Sequence, residues 1–280
     1  MASATGALGD YLRARRAQIS PEDAGFPANP RRRVRGLRRA EIAELAGISV
    51  EYYTRLEQGR SYQLSESVLS GLARALQLDG PATAYFYRLA LPAPPPPPIP
   101  AARPVGDLIV RLVEEWSESP VYVADRNLDV ILVNDLARRM FPGVMSAGHN
   151  VVESVFLAPP EGRGLEQWQQ VAAVAVAALR FQSDPADSRL HEIVGGLSVR
   201  DPDFRRLWAH HAAGPLTTGS APVVIPGVGF GEVPWQALEV PGGYTMIVYL
   251  ATPGTFGATA IAHLRRGPDA VSPTLTAIVA

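Results

Sequence analysis

The sequence predicts two domains of different class: an all-α domain, then an α+β domain built on an antiparallel sheet with helices. Three observations carry this. Residues 38–59, RRAEIAELAGISVEYYTRLEQG, read as two short helices joined by a glycine turn. Residues 91–104, LPAPPPPPIPAARP, cannot be helix or central strand, because proline lacks the N–H donor. Beyond residue 119, helical spacing gives way to short runs rich in β-branched residues. The expected boundaries are 1–91 for the first domain, 92–104 for a proline linker, 105–268 for the second domain and 269–280 for a tail.

In the first domain Ile42, Leu45 and Ala46 recur at the spacing that places them on one helical face. Ala43 and Ala46 are small enough to let a second helix cross closely. Gly47 ends the helix, Ile48 plugs the gap, and Ser49 suits the N-cap of the next helix. Tyr53 and Leu56 fall on its buried side, and Gly59 stops it. An αα-hairpin that binds nothing has a similar pattern, but the flanks favour a DNA reader. Leu8–Ile19 gives a helix before the pair, and 65–76 and 81–91 give two after it, the last opening at Pro81. Five such helices resemble a lambda-repressor-like domain, whose second motif helix lies in the major groove. Between the first and second helices, RRRVRGLRR (31–39) holds six arginines in nine positions, which reads as phosphate clamping. The expected DNA-facing set is therefore Arg31, Arg32, Arg33, Arg35, Arg38, Arg39 and Arg60 with Ser49, Val50, Glu51, Tyr52, Thr54 and Arg55. Within it Arg39 is the phosphate anchor implied by the motif. Val50, Glu51, Thr54 and Arg55 are placed over base edges, Arg55 suiting a bidentate guanine contact.

Charge supports the division. Residues 1–90 carry 13 Arg against 9 acidic residues, and 91–280 carry 13 against 18, so the overall −1 hides two halves of opposite sign. All 26 basic residues are arginine, which with abundant Ala, Gly and Pro suggests a GC-rich bacterial genome. There is no cysteine, so disulfides, thiolate metal sites and cysteine catalysis are excluded. No apolar leader and no membrane-length apolar run occurs, so the expectation is a cytoplasmic protein with no membrane partner. The proline run is expected to form a semi-rigid polyproline II spacer, with a ligand for an SH3-type module as the alternative.

The second half opens with a helical stripe, Val105, Leu108, Ile109, Leu112, Val113 and Trp116. PVYVAD (120–125) and DVILVND (129–135) then read as a hairpin across Arg126-Asn127-Leu128, with Asn134 capping a short helix 135–141. Helices are expected near 163–182, 186–197 and 201–211, strands near 216–225, 229–240 and 243–252, and a last helix near 255–266. About five antiparallel strands with helices on one face fit this order, and the opening resembles a PAS-like domain. VAAVAVAALRF (171–181) has no charge before Arg180 and is expected to be buried all round. With Phe141, Phe156, Trp168, Phe181, Phe204, Trp208, His211, Trp235 and Tyr249 it forms either an ordinary core or the wall of an apolar ligand pocket. His210 and His211 are adjacent and cannot clamp a metal at i, i+4 spacing. No nucleophile, base and oxyanion hole can be assembled. The expectation is no enzyme, no metal and no cofactor.

Three stretches carry a resemblance across nearly the whole chain: LRRAEIAELAGISVEYYTRLEQGR (37–60), WSESPVYVADRNLDVILVNDLARRMFPG (116–143) and LSVRDPDFRRLWAHH (197–211). They resemble the MmyB-like transcription regulators, which join a helix-turn-helix of the XRE type to a PAS-like ligand-binding domain. The resemblance implies a sequence-specific regulator that binds double-stranded DNA and senses a small, fatty-acid-like ligand. A homodimer through the second domain is expected. The alternative is that the second domain is a ligand-free dimerisation or RNA-polymerase-contacting module. The chain departs from the family at Trp208-Ala209-His210-His211-Ala212, where W-x-x-H-D is usual, and at Gly219–Val223, where the family is basic. Both changes make the expected pocket less polar.

Overall fold

The computed structural model describes residues 4–27, 32, 34–60, 64–91, 105–158 and 163–266. The polyproline linker and the tail expected from the sequence lie outside the described residues. Among the described residues the first half is five helices: α1 (Ala4–Gln18), α2 (Arg39–Ala46), α3 (Val50–Glu57), α4 (Glu66–Ala75) and α5 (Gly80–Ala90). The starts of α3, α4 and α5 are set by side-chain caps. The side-chain oxygens of Ser49, Ser65 and Asp79 accept the N–H groups of Tyr52, Val68 and Ala82. Gly47 closes α2 in the left-handed region, at φ 68° and ψ 35°, which a side chain would strain. Ile42, Ala43, Tyr53, Leu56, Leu72 and Phe86 pack into one apolar core. Gly71 lets α4 cross α2, since a Cβ there would lie 2.7 Å from the Ala46 carbonyl oxygen. Leu45, expected on the buried face, is exposed instead. The α2 face against α4 is formed by Ile42, Ala43 and Ala46, and Leu45 falls beside it.

The second half runs α6 (Asp107–Glu115), β1 (Val121–Ala124), β2 (Val130–Val133), α7 (Asp135–Met140), α8 (Val151–Val155), α9 (Glu166–Gln182), α10 (Ser188–Arg200), α11 (Pro202–Ala209), β3 (Thr218–Ile225), β4 (Gly229–Val240), β5 (Tyr244–Tyr249) and α12 (Phe256–Arg265). The five strands form one antiparallel sheet in the order β2-β1-β5-β4-β3. α8, one turn capped by the Asn150 side chain, was not expected from the sequence. Nor are the helices confined to one face. Tyr122, Ala124, Ile247 and Tyr249 pack with Ala137 of α7 and Ile261 of α12. The alternate residues Val121, Val123, Met246 and Val248 pack with Val113 of α6 on the other side. β1 is consequently buried at all four positions.

A third apolar cluster joins α8, α9, α10 and α11 around Leu179, Ile193 and Phe204. α9 is not buried all round. Ala172, Ala175, Val176 and Leu179 face this cluster, while Ala173 and Val174 are exposed. Alanine tolerates that exposure in a helix at little cost.

Asn134 locks α6, β1 and α7 together. Its Oδ1 accepts the N–H groups of Val121 and Ala137, each at 3.0 Å, and its Nδ2 donates to the carbonyls of Trp116 and Ser119, each at 2.8 Å. Every polar valence of the buried amide is used. Asn134→Ala would leave partly buried backbone groups unpaired, and urea unfolding is expected to register a loss of about 2–3 kcal/mol.

Candidate nucleic-acid interface and ligand-binding half

Helix α3 is held by its far end. Glu57 is 2% exposed. Its Oε1 accepts Arg16 Nε of α1 at 2.6 Å and its Oε2 accepts Arg39 Nε of α2 at 2.7 Å. Its backbone carbonyl accepts Arg13 Nη2 at 3.0 Å. Burial opposes ionisation of Glu57, but the two arginine hydrogen bonds outweigh it and keep the carboxyl below its usual range. Gly9 completes the fit, because a Cβ there would stand 2.5 Å from the Glu57 carbonyl oxygen. With its inner side fixed by Tyr53, Leu56 and Glu57, α3 exposes Val50, Glu51 and Arg55, while Tyr52 and Thr54 are half-buried. Ser49, exposed, spends its hydroxyl oxygen on the Tyr52 N–H.

The arginine run divides by role. Arg32 is turned inward: its side chain is 11% exposed and donates to the carbonyls of Val34 and Gly36 and to both oxygens of Glu41. That pair, with the Arg38 N–H on Glu41 Oε2, fastens the loop to the first turn of α2. The hydrogen bonds from Arg32 hold the Glu41 carboxyl down at about 2. Arg32 thus builds the loop, making four hydrogen bonds to Val34, Gly36 and Glu41. Arg35, Arg38, Arg39 and Arg60 are exposed, Arg39 keeping 48% of its side chain open while bound to Glu57. Arg31 and Arg33 lie outside the described residues.

The nine aromatic and histidine positions expected to form a pocket do not surround one space. Phe156, Trp168, Phe204 and Trp208 pack ring on ring, with centroids 5.6 Å apart for Phe156–Trp168, 5.3 Å for Phe156–Phe204 and 5.8 Å for Phe204–Trp208. Phe141, Trp235 and Tyr249 belong to the cluster under α7 and α12. Phe181 and His211 face the first domain. A separate cleft of about 380 Å³ opens between α6, β2 and α7, walled by Val110, Val113, Ile131, Leu132 and Ala147 with Arg138 at its edge. None of the nine lines it.

Two family models match the chain. One, for the MmyB-like transcription regulator ligand binding domain, matches residues 105–264. This chain is an MmyB-like regulator. The other, for a helix-turn-helix domain, matches residues 7–86, so the MmyB-like ligand-binding domain follows a helix-turn-helix DNA-binding domain. A comparison with curated proteins finds no match. Among the described residues no helix is long and apolar enough to cross a membrane.

What the sequence did not announce in this MmyB-like chain is a seam between the two halves. Arg180, at the end of α9, is 7% exposed, and its guanidinium carbon stands 3.7 Å from the centre of the Trp208 ring. It donates to the Trp208 carbonyl, and its Nη1 lies 3.3 Å from His211 Nδ1. The His211 ring in turn meets Tyr11 of α1, centroids 6.5 Å apart. Gln18 of α1 donates to the His210 carbonyl at 2.5 Å. Arg88 of α5 lies over the rings of Tyr85 and Phe181 and donates to the Phe181 carbonyl. The spacing of α9 marks Arg180 as a last-turn cation, and nothing local in the sequence marks it as buried.

Glu57→Ala would strand Arg16, whose side chain is 11% exposed, and denaturant unfolding is expected to fall by about 3–5 kcal/mol. Acid titration checks a second point. Burial, then the charges of Arg180, His210 and Arg13, lower His211 from its usual 6.5 to about 4. The folded protein keeps it neutral where the unfolded chain takes a proton, so stability should fall between about pH 6.5 and 4. His211→Gln should flatten that window. The Glu41 contribution is present above its usual 4.5 and is lost only as pH falls towards about 2.

Proposed function

We propose that the protein is a sequence-specific DNA-binding regulator that reads its operator with α3. The observation that supports this most directly is the anchored reading helix. Glu57, Tyr53 and Leu56 fix its inner side while Val50, Glu51 and Arg55 stand exposed, flanked by exposed arginines. Val50, Glu51, Thr54 and Arg55 meet base edges, with Ser49 and Tyr52 beside them at the start of the helix. Arg35, Arg38, Arg39 and Arg60 grip phosphates, and Arg39 is oriented for this by the Glu57 carboxylate. A homodimer through the second domain would present two such helices to two half-sites about one turn of DNA apart.

The second half, a PAS-like domain in this reading, senses a small apolar, fatty-acid-like molecule in the cytoplasm. The family match over residues 105–264 supports a ligand-binding role. One observation favours a second reading, a ligand-free dimerisation or polymerase-contacting module. The rings of Trp168, Phe156, Phe204 and Trp208 fill the space between them. Native mass spectrometry separates the two: co-purifying lipid supports sensing, and a bare polypeptide mass supports the module.

The DNA reading is tested by selecting bound sequences from a random pool with the purified full chain. Arg55→Ala is expected to cost about 1–3 kcal/mol on the selected site and to relax one position of each half-site. Arg35→Ala should weaken binding on all sequences alike and flatten the salt dependence. An equal loss on selected and random DNA from Arg55→Ala would remove the base-reading assignment.

A further inference from the structure

The two halves share a continuous series of ring contacts. Trp168 meets Phe156, Phe156 meets Phe204, and Phe204 stacks on Trp208. Trp208 carries the Arg180 guanidinium on its face. Arg180 touches His211, whose ring meets Tyr11, and Tyr11 packs on Tyr85 and Phe86 in the core of the first half. One rigid helix, α9, holds both ends of the second-half portion: Trp168 is near its start and Arg180 near its end.

The middle of this series is poorly balanced. Arg180 is buried, its Nε has no hydrogen-bond partner, and no carboxylate pairs with it among the described residues. The groups facing it from the first half are the hydroxyls of Tyr11 and Tyr85, and from its own half the face of Trp208 and the ring of His211. Burial holds both tyrosines in their neutral forms, so nothing in the seam supplies a negative charge. A ring face returns only part of what a buried guanidinium loses in leaving water. A cation in a permanent core is paired, whereas a cation at a seam that opens regains water each time it does.

We propose that Arg180 is the bolt of a reversible latch that docks the DNA-binding half on the ligand-binding half. Closed, the latch holds α1 and α5 against the ends of α9 and α11, and α3 lies outside it. The reading helix is then presented at a fixed orientation. Open, the first half is released from these contacts, and its orientation is lost. A shift of α9 within its own apolar cluster moves Arg180 relative to His211 and Tyr11 and biases the two states. This goes beyond the sensing reading and stands whether or not a ligand occupies the second half.

The chain has no cysteine, so spin labels placed at Ser70→Cys on α4 and Val199→Cys on α10, both exposed, report the distance between the halves. In the full chain near pH 7.5, electron double resonance is expected to give a narrow distance peak. Arg180→Met keeps a long side chain but removes the donors and the charge, and should replace that peak with a broad distribution while circular dichroism stays unchanged. Arg88→Ala, altering the seam from the other side, should broaden it too. If Arg180→Met instead keeps the narrow peak and raises the melting temperature, Arg180 is a packed core group and the latch is refuted. Should Arg180→Met fail to fold, Arg88→Ala decides alone, and an unbroadened peak refutes the latch.

Discussion

The orientation of α3 depends on one buried carboxylate. Glu57 gives one oxygen to α1 through Arg16 and the other to α2 through Arg39. The two helices of the motif and α1, distant from them in sequence, therefore meet at a single charged group. Taking that charge out of water is costly, and it is tolerable because two guanidinium groups share it. The arrangement ties fold to output. Glu57 holds Arg39 on one side, and Arg16 pairs with the buried carboxylate on the other. The loop before α2 repeats the device on a smaller scale, with Arg32 and Glu41 closing it.

The helix-turn-helix was legible because its determinants are local. Ile42, Ala46, Gly47, Ser49, Tyr53 and Leu56 act within a few residues of one another, and each sits where spacing places it. Glu57 and Arg16 are 41 positions apart, and a glutamate near the end of a polar helix reads as surface. Arg32 was hidden differently: six arginines in a run look alike, and only the fold separates the inward one from the outward ones. In the second half the strands were legible in number and in place along the chain, but neither their order in the sheet nor its coverage was. The uninterrupted apolar run VYVA in β1 was the available sign that both its faces are covered. The aromatic residues were identified as inward-facing by type. Their grouping depends on contacts such as Phe156 with Phe204, which no spacing rule reports.

The ligand-binding half also shows how one sheet serves two separate apolar clusters. Alternation along β1 and β5 sends one set of side chains to α7 and α12 and the other to α6. The α8–α11 group forms its own cluster beside the sheet. Because α9 ends at the seam, that third cluster is the one mechanically continuous with the DNA-binding half. The β1–β2 hairpin also reaches the end of α9, where the Ser183 hydroxyl donates to the Arg126 carbonyl.

The strand order has a consequence for synthesis. β1 pairs with β5, so residues 121–124 wait for residues 245–248 before the sheet can close. At roughly 5–20 residues per second on a ribosome, that interval lasts about 6–25 s. The helix-turn-helix half is complete as sequence by residue 91, well before this. During the wait it can fold alone, with α1 and α5 still lacking the helices that later cover them. Each new molecule thus passes through a stage in which the DNA-binding unit exists without its partner half.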